Sequence, residues 1–323
     1  MEQDLYEKMK NNEEIYGGGG GSMKRKPKQS SLDSYHQKLR FLNNNIIPTD
    51  YKFLNNYDEI MKKIDHFKPN TQRNYIIAIV SILRNTQNDA LYNGYSKIMD
   101  KYNRDLKTSN TKSETQLKNW IPQTRVQDIY DILYDRVIPN LKSKGVVTSE
   151  MSWNDITELM LLSLYVLQPP RRIVDYMNMF IVKKLPKVMD KDQNYCDVSS
   201  GIMYFNCYKT SGTYHTQEVK ISPKLMDIIL LYIKKLCSTT ATKLNLNSKL
   251  PLLCTYNGMP IKRGNIITLM LNKIFGGLKI SVSMLRNIYL TDKFAPITND
   301  MDTTAHDMGT SSGTIQNSYV KKD

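Results

Sequence analysis

The 323-residue chain has no apolar run approaching the ~20 residues that span a bilayer, and its N-terminus lacks the charged-then-apolar layout of a signal peptide. Neither a membrane partner nor secretion is expected, and the expected location is intracellular, nucleus or cytoplasm. Cysteine is scarce and irregularly placed. Cys196, Cys207, Cys237 and Cys254 form no CxxC pair, which argues against a zinc site and a disulfide framework and for reduced, buried thiols. Acidic residues are outnumbered, 31 against 45 Lys and Arg, for a net charge of +14 and a pI of about 9.4. Such an excess attracts phosphate polymers over long range and in a salt-dependent way, without choosing between DNA, RNA and an anionic membrane. No internal repeat is present. The length suits two ordinary domains or one large one, enough to bury a core without staples.

Along the chain, residues 1–22 end in Gly17-Gly18-Gly19-Gly20-Gly21-Ser22 ahead of Met23 and read as an appended peptide with a flexible linker. Residues 23–30 form a basic arm, with Lys24, Arg25, Lys26 and Lys28 as candidate contacts to DNA phosphates or as a nuclear-import signal. From 31 to 107 the pattern is helical. Leu32, Tyr35, Leu39 and Leu42 make one stripe; Leu54, Tyr57, Ile60, Met61 and Ile64 make a second; Tyr75, Ile76, Ile79, Val80 and Leu83 make the clearest, with Asn70-Thr71 expected as its cap. A fourth helix is expected over Ala90 to Arg104, completing a small bundle. A polar linker, 108–119, precedes a mixed domain spanning 120–323. There Ile156 to Leu167 predicts an apolar helix, and Gly201 to Ile221 predicts a hairpin turning at Ser211-Gly212. Ser222-Pro223 predicts a capped helix start, with further helices over Asn265 to Phe275 and Ser283 to Thr291. The fold class expected is α+β, mainly α with a small antiparallel sheet.

Four places in the second domain hold polar groups that folding alone does not require. Pro169-Pro170-Arg171-Arg172-Ile173-Val174-Asp175 follows the apolar helix; Tyr208-Lys209-Thr210 sits in the predicted hairpin; Ser283-Met284-Leu285-Arg286 opens a helix; Met308-Gly309-Thr310 precedes Tyr319. Each alone has an ordinary explanation, as a solvated loop, an exposed lysine or a packing tyrosine.

In this order and spacing the four resemble the catalytic domain of the tyrosine recombinases, the phage-type integrase family, from about Gln123 to Tyr319. The helical segment before it is similar to that family's core-binding domain. The family's arginine followed three residues later by an acid is matched by Arg172 and Asp175, its hairpin lysine by Lys209, its His-x-Leu-Arg by Ser283 to Arg286, and its Leu-Gly-His with a tyrosine nine residues on by Met308-Gly309-Thr310 and Tyr319. The resemblance implies a site-specific recombinase or integrase of a mobile element or virus. Its substrate would be double-stranded DNA, gripped by the two domains as a C-shaped clamp, and it would assemble as a homo-oligomer, a tetramer on paired sites. Tyr319 would be the nucleophile, Arg172 and Arg286 the phosphate clamps and Lys209 the proton donor, with Arg171 on DNA and no metal or nucleotide cofactor.

The chemistry asks for those residue types. A tyrosine hydroxyl ionises near pH 10, so its attack on a phosphodiester needs neutralisation of the phosphate and protonation of the departing 5′-oxygen. Two guanidinium forks meet the first need and a mobile ammonium the second. The chain departs from the family where Ser283 and Thr310 replace histidines; a hydroxyl donates a hydrogen bond but is no imidazole base. His306, four residues before Thr310, is the candidate substitute if that stretch is helical, and His215 a weaker one. Only Val320 to Asp323 follow Tyr319, so another element is expected to make the subunit contact, or the sequence is truncated. Two alternatives stand beside the recombinase: a type IB topoisomerase-like DNA relaxer, and a catalytically degenerate DNA-binding protein of the same fold.

Overall fold

The computed structural model describes residues 29–84, 89–106, 111–143, 149–238 and 249–321. The appended peptide, the basic arm with Lys24, Arg25, Lys26 and Lys28, and residues 107–110 of the polar linker region lie outside the described residues. The chain divides into two compact units, Met1–Thr111 and Lys112–Asp323.

The first unit is helical among its described residues: α1 (Gln29–Leu42), α2 (Tyr57–Ile64), α3 (Pro69–Leu83) and α4 (Asp89–Asp105), with a 3₁₀ turn at Lys52–Asn55. Leu39, Leu54, Ile64, Ile76, Ile79 and Leu83 are buried together, the inward positions of the expected stripes. The second stripe is divided between the 3₁₀ turn and α2, because Asn56 intervenes and caps α2 by accepting from the Glu59 amide. The start of α3 differs from expectation. Pro69, not Asn70-Thr71, opens it, its fixed φ suiting the first turn where no amide bond is lost. Gly94 on α4 leaves room for the Tyr57 ring, which stacks on Tyr95 at 4.6 Å between centroids.

The second unit is mainly helical around a small sheet. Half of the expected linker is helix: α5 (Glu114–Asn119) starts at a capping box of Ser113 and Gln116. Then come α6 (Gln123–Lys142), α7 (Glu150–Val166) and α8 (Ile173–Met177). The central α7 is apolar on nearly every side, with Trp153, Ile156, Leu159 and Leu162 fully buried, and it packs against α6 and two later helices. The strands are β1 (Met179–Val182), β2 (Asn194–Asp197), β3 (Ile202–Phe205), β4 (Gln217–Lys220) and β5 (Leu250–Pro251), ordered β4-β3-β2-β1-β5. The sheet is mixed, not antiparallel as expected. The chain leaves β1 and returns over residues 183–193 to enter β2 in the same direction, so β1 and β2 are parallel while the other pairs are antiparallel.

The β3–β4 connection is also longer than a tight hairpin, because it folds a helical turn, α9 (Ser211–Tyr214), at the expected Ser211-Gly212 corner. α10 (Pro223–Ser238) begins at the predicted proline, but the Ser222 hydroxyl makes no cap bond. α11 (Gly264–Ile274) follows. The largest departure is α12 (Val282–Asp307), which runs through Pro296 to three times the expected length before α13 (Ser312–Thr314) and a π-helical turn at Ile315–Tyr319. No described helix is long and apolar enough to cross a membrane. Cys196 and Cys254 are buried, Cys207 and Cys237 half-buried, and all four are free thiols.

Candidate active site

The arginine segment owes its place to two prolines. α7 ends at Leu167, and Pro169-Pro170 hold the next residues extended until Arg172, which sits at the N-cap position of α8 with φ −68° and ψ 147°. The two arginines therefore leave neighbouring backbone positions in different directions.

Arg171 turns inward. Its Nε donates to Asp175 Oδ2 at 3.1 Å, both terminal nitrogens donate to Gln217 Oε1 at 3.0 Å, and the guanidinium lies 3.8 Å over the Phe205 ring and 5.2 Å from that of Tyr208. The arginine expected on DNA thus has internal partners on Asp175, Gln217 and Phe205. Among the described residues the Arg172 side chain has no hydrogen-bond or ion-pair partner, and Arg286, in the second turn of α12, donates Nε to Pro170 O at 3.2 Å. Both flank one open cleft of about 390 Å³, whose wall also includes Asp175, Thr210, Tyr214 and Gln217.

Asp175 organises the floor. Its carboxyl is buried, and burial pushes its pKa up even though Arg171, Arg172 and Arg286 all pull the other way. Oδ2 takes the Arg171 hydrogen bond, whereas Oδ1 has no donor, nor has the buried Oε1 of Gln168. Because Asp175 is paired with Arg171, it leaves the forks of Arg172 and Arg286 free to bind a bidentate anion.

A buried asparagine ties this floor to the lysine loop. Asn194 donates to Asp175 O at 2.7 Å and to Cys207 O at 3.0 Å, and its Oδ1 accepts from the amides of Asn206 and Cys207, each at 2.8 Å. Tyr208 Oη adds a bond of 2.8 Å to His215 O, which closes the loop on itself. Lys209 stands exposed between the buried Tyr208 and the cleft-lining Thr210. His215 has φ 53° and an exposed ring, and contributes its carbonyl.

The remaining expected residues lie elsewhere. Ser281, not Ser283, caps α12, leaving Ser283 exposed on the first turn, one helical step from Arg286. α12 stops at Asp307, where Gly309 takes φ 66° and the Thr310 amide reaches back to Ala305 O at 2.9 Å. Thr310 is therefore beyond the helix, and the shared helical face expected for it and His306 does not form. His306 is exposed and pairs with Asp307 at 3.4 Å. Tyr319 is 60% exposed and is not among the residues lining the cleft; nor are Ser283, Thr310 and His306.

Four residues entered the site unannounced. Gln217 holds the Arg171 guanidinium and Asn194 holds backbone groups, and nothing in their sequence context marks them. Tyr214, 63% exposed on the cleft wall, is one of 21 tyrosines. Tyr208 was visible only as a neighbour of Lys209. A second cavity, of about 310 Å³, is lined by Ile129, Leu133 and Arg136 among others, with Lys273 and Glu158 on its wall paired to each other at 2.8 Å. Among the described residues no group of three metal-ligating side chains comes together.

No family profile, curated protein or solved structure matches this chain.

Proposed function

We propose that this chain cuts and rejoins duplex DNA by transesterification through a 3′-phosphotyrosyl intermediate, as a site-specific recombinase of the tyrosine recombinase type. The observation that carries the reading is the pair of guanidinium groups, Arg172 and Arg286, whose terminal nitrogens have no partner among the described residues and which face one cleft beside the Lys209 loop, while Arg171 pairs with the Asp175 carboxylate on its wall. Two such forks can hold the non-bridging oxygens of a phosphodiester and the extra charge of its pentacoordinate state. Lys209 supplies the proton for the departing 5′-oxygen, and Tyr319 keeps the phosphate as an ester, which a second 5′-hydroxyl reverses without a nucleotide cofactor.

The net charge of +14 supports a polyanionic partner, with affinity falling steeply as salt rises. The test is a nicked duplex carrying the target site, on which a covalent protein–DNA adduct should accumulate. Tyr319→Phe should abolish that adduct, and an undiminished yield would overturn the nucleophile assignment.

One observation favours a second reading, a DNA-binding protein of this fold that does not cut. Tyr319 stands outside the cleft, and hydroxyls occupy positions 283 and 310. Such a protein would bind DNA with the same salt dependence and give no adduct under any condition.

A further inference from the structure

Part of the cleft wall comes from the segment joining β3 to β4, and the backbone there is held in an uncommon conformation. α9 closes on itself, the Tyr214 amide donating to Thr210 O at 3.1 Å and the His215 amide to Ser211 O at 2.8 Å. His215 then takes φ 53° and ψ −155°, a region that glycine enters freely and other residues rarely. A residue in such a conformation is kept there by its surroundings, and such residues gather at functional sites. The surroundings here are two hydrogen bonds, from Tyr208 Oη to His215 O at 2.8 Å and from Thr216 Oγ1 to Asn206 Oδ1 at 2.9 Å. The reversal at His215 sends the chain into β4, where Gln217 meets Arg171, and it leaves Tyr214 on the cleft wall.

Tyr214 has no evident part in holding the fold. Its side chain is 63% exposed, and among the described residues its hydroxyl has no hydrogen-bond partner. Tyr208, the other tyrosine on the wall, is the opposite case: its ring is buried and its hydroxyl is committed to His215 O. The cleft also lacks a kind of group that its two cations do not supply. No histidine lines it among the described residues, and Ser283 and Thr310 stand outside it. The Tyr214 hydroxyl brings a neutral donor to the cleft that holds Arg172 and Arg286; Thr210 brings another on a shorter side chain.

We infer that Tyr214 is a further catalytic residue, whose hydroxyl donates a hydrogen bond to a non-bridging oxygen of the phosphodiester held by Arg172 and Arg286. The inference rests on the phosphotyrosyl reading above. A phenol ionises near pH 10, so at neutral pH it donates a hydrogen bond without giving up its proton. Tyr319 Oη forms the new bond to phosphorus and its proton passes to solvent. The bond to the 5′-oxygen breaks, and that oxygen takes a proton from Lys209. Charge grows on the non-bridging oxygens meanwhile, and a donor carried on a backbone already fixed at His215 stabilises it with little rearrangement.

The test is Tyr214→Phe in the full chain, followed in single turnover on the nicked duplex used for the Tyr319 adduct. Adduct formation should slow by roughly 10²–10³-fold, the usual cost of one transition-state donor, with affinity for the duplex unchanged and the adduct still on Tyr319 by peptide mapping. A methylphosphonate at the scissile position separates contact from mere support. In the diastereomer whose methyl replaces the oxygen that Tyr214 contacts, wild type and variant should react at the same rate. A variant as fast as wild type on the phosphodiester would overturn the inference and leave the phosphotyrosyl reading standing. So would a variant slowed equally on the phosphodiester and on both diastereomers. An adduct mapped to Tyr214 that survives Tyr319→Phe would overturn the donor role and the nucleophile assignment together, and so would a wild-type chain that gives no adduct.

Discussion

The inner and outer ends of α12 are built on opposite terms. At the inner end Val282, Met284, Leu285 and Ile288 are buried in the main core, so Arg286 is held by the packing of a whole domain. At the outer end nearly every residue from Leu290 to Thr304 is exposed, and Asp302 takes a hydrogen bond from the Ser312 hydroxyl of the short turn α13. Interactions that stabilise a cation against phosphate gain from rigidity, because preorganised donors need no rearrangement as charge develops. An exposed helix with few apolar contacts opens locally at little cost, so the two ends of α12 should differ in rigidity.

The largest effect is expected at Arg171. Its side chain and that of Asp175 are 19% and 4% exposed, so Arg171→Ala leaves a buried carboxylate without its ion pair. Loss of one partner from a buried pair costs about 3–5 kcal/mol, and urea unfolding should show a loss of that order. Arg171→Lys should recover little, since an ammonium cannot bond Asp175 and Gln217 while lying flat on Phe205. A loss below about 0.5 kcal/mol, the range of ordinary surface changes, would place Arg171 with the free arginines and break the distinction drawn here.

Arg172→Ala should have the converse profile. Because the side chain has no hydrogen-bond or ion-pair partner among the described residues, stability should change by less than about 0.5 kcal/mol. The rate of adduct formation should fall by roughly 10²–10³, the usual cost of one transition-state donor, read in a single-turnover assay on the nicked duplex. The adjacent arginines also show where sequence reasoning stops. The spacing to Asp175 singles out Arg172, yet spacing says nothing about which guanidinium stacks on Phe205, a residue on a strand more than thirty positions away. The helices of the first unit were legible because stripes such as Ile76, Ile79 and Leu83 repeat with the helical period. β2 was not, because all four of its residues are buried and no alternation marks it. The outer half of α12 was hidden for another reason. Pro296 and the polar run after it read as a helix end, and only a helix lying in the open tolerates so little apolar pattern.

A smaller effect is expected from pH, again at the inner end. The carboxyl of Asp175 titrates above its ordinary range in the folded chain because it is buried. A folded state with the higher pKa binds the proton more readily than the unfolded one. Stability should therefore fall as pH rises from the unfolded value, about 3.9, through the folded one, and stay level beyond it. Asp175→Asn should flatten that part of the profile in denaturation curves collected across acidic pH, and an unchanged slope would assign the titration to another group.

The smallest effect is the one that most directly tests the outer end. Tyr319 is exposed and its hydroxyl has no hydrogen bond among the described residues, so Tyr319→Phe removes no contact seen to support the isolated fold. Its unfolding midpoint should match the wild type within about 0.5 kcal/mol, while the adduct disappears. Amide exchange should agree: protons from Leu290 to Asp307 should exchange through local opening, long before those of β2 and β3. A measurable destabilisation by Tyr319→Phe, together with slow exchange across Pro296, would mean that the outer helix folds back onto its own body in solution, and α12 would then have one building rule along its whole length.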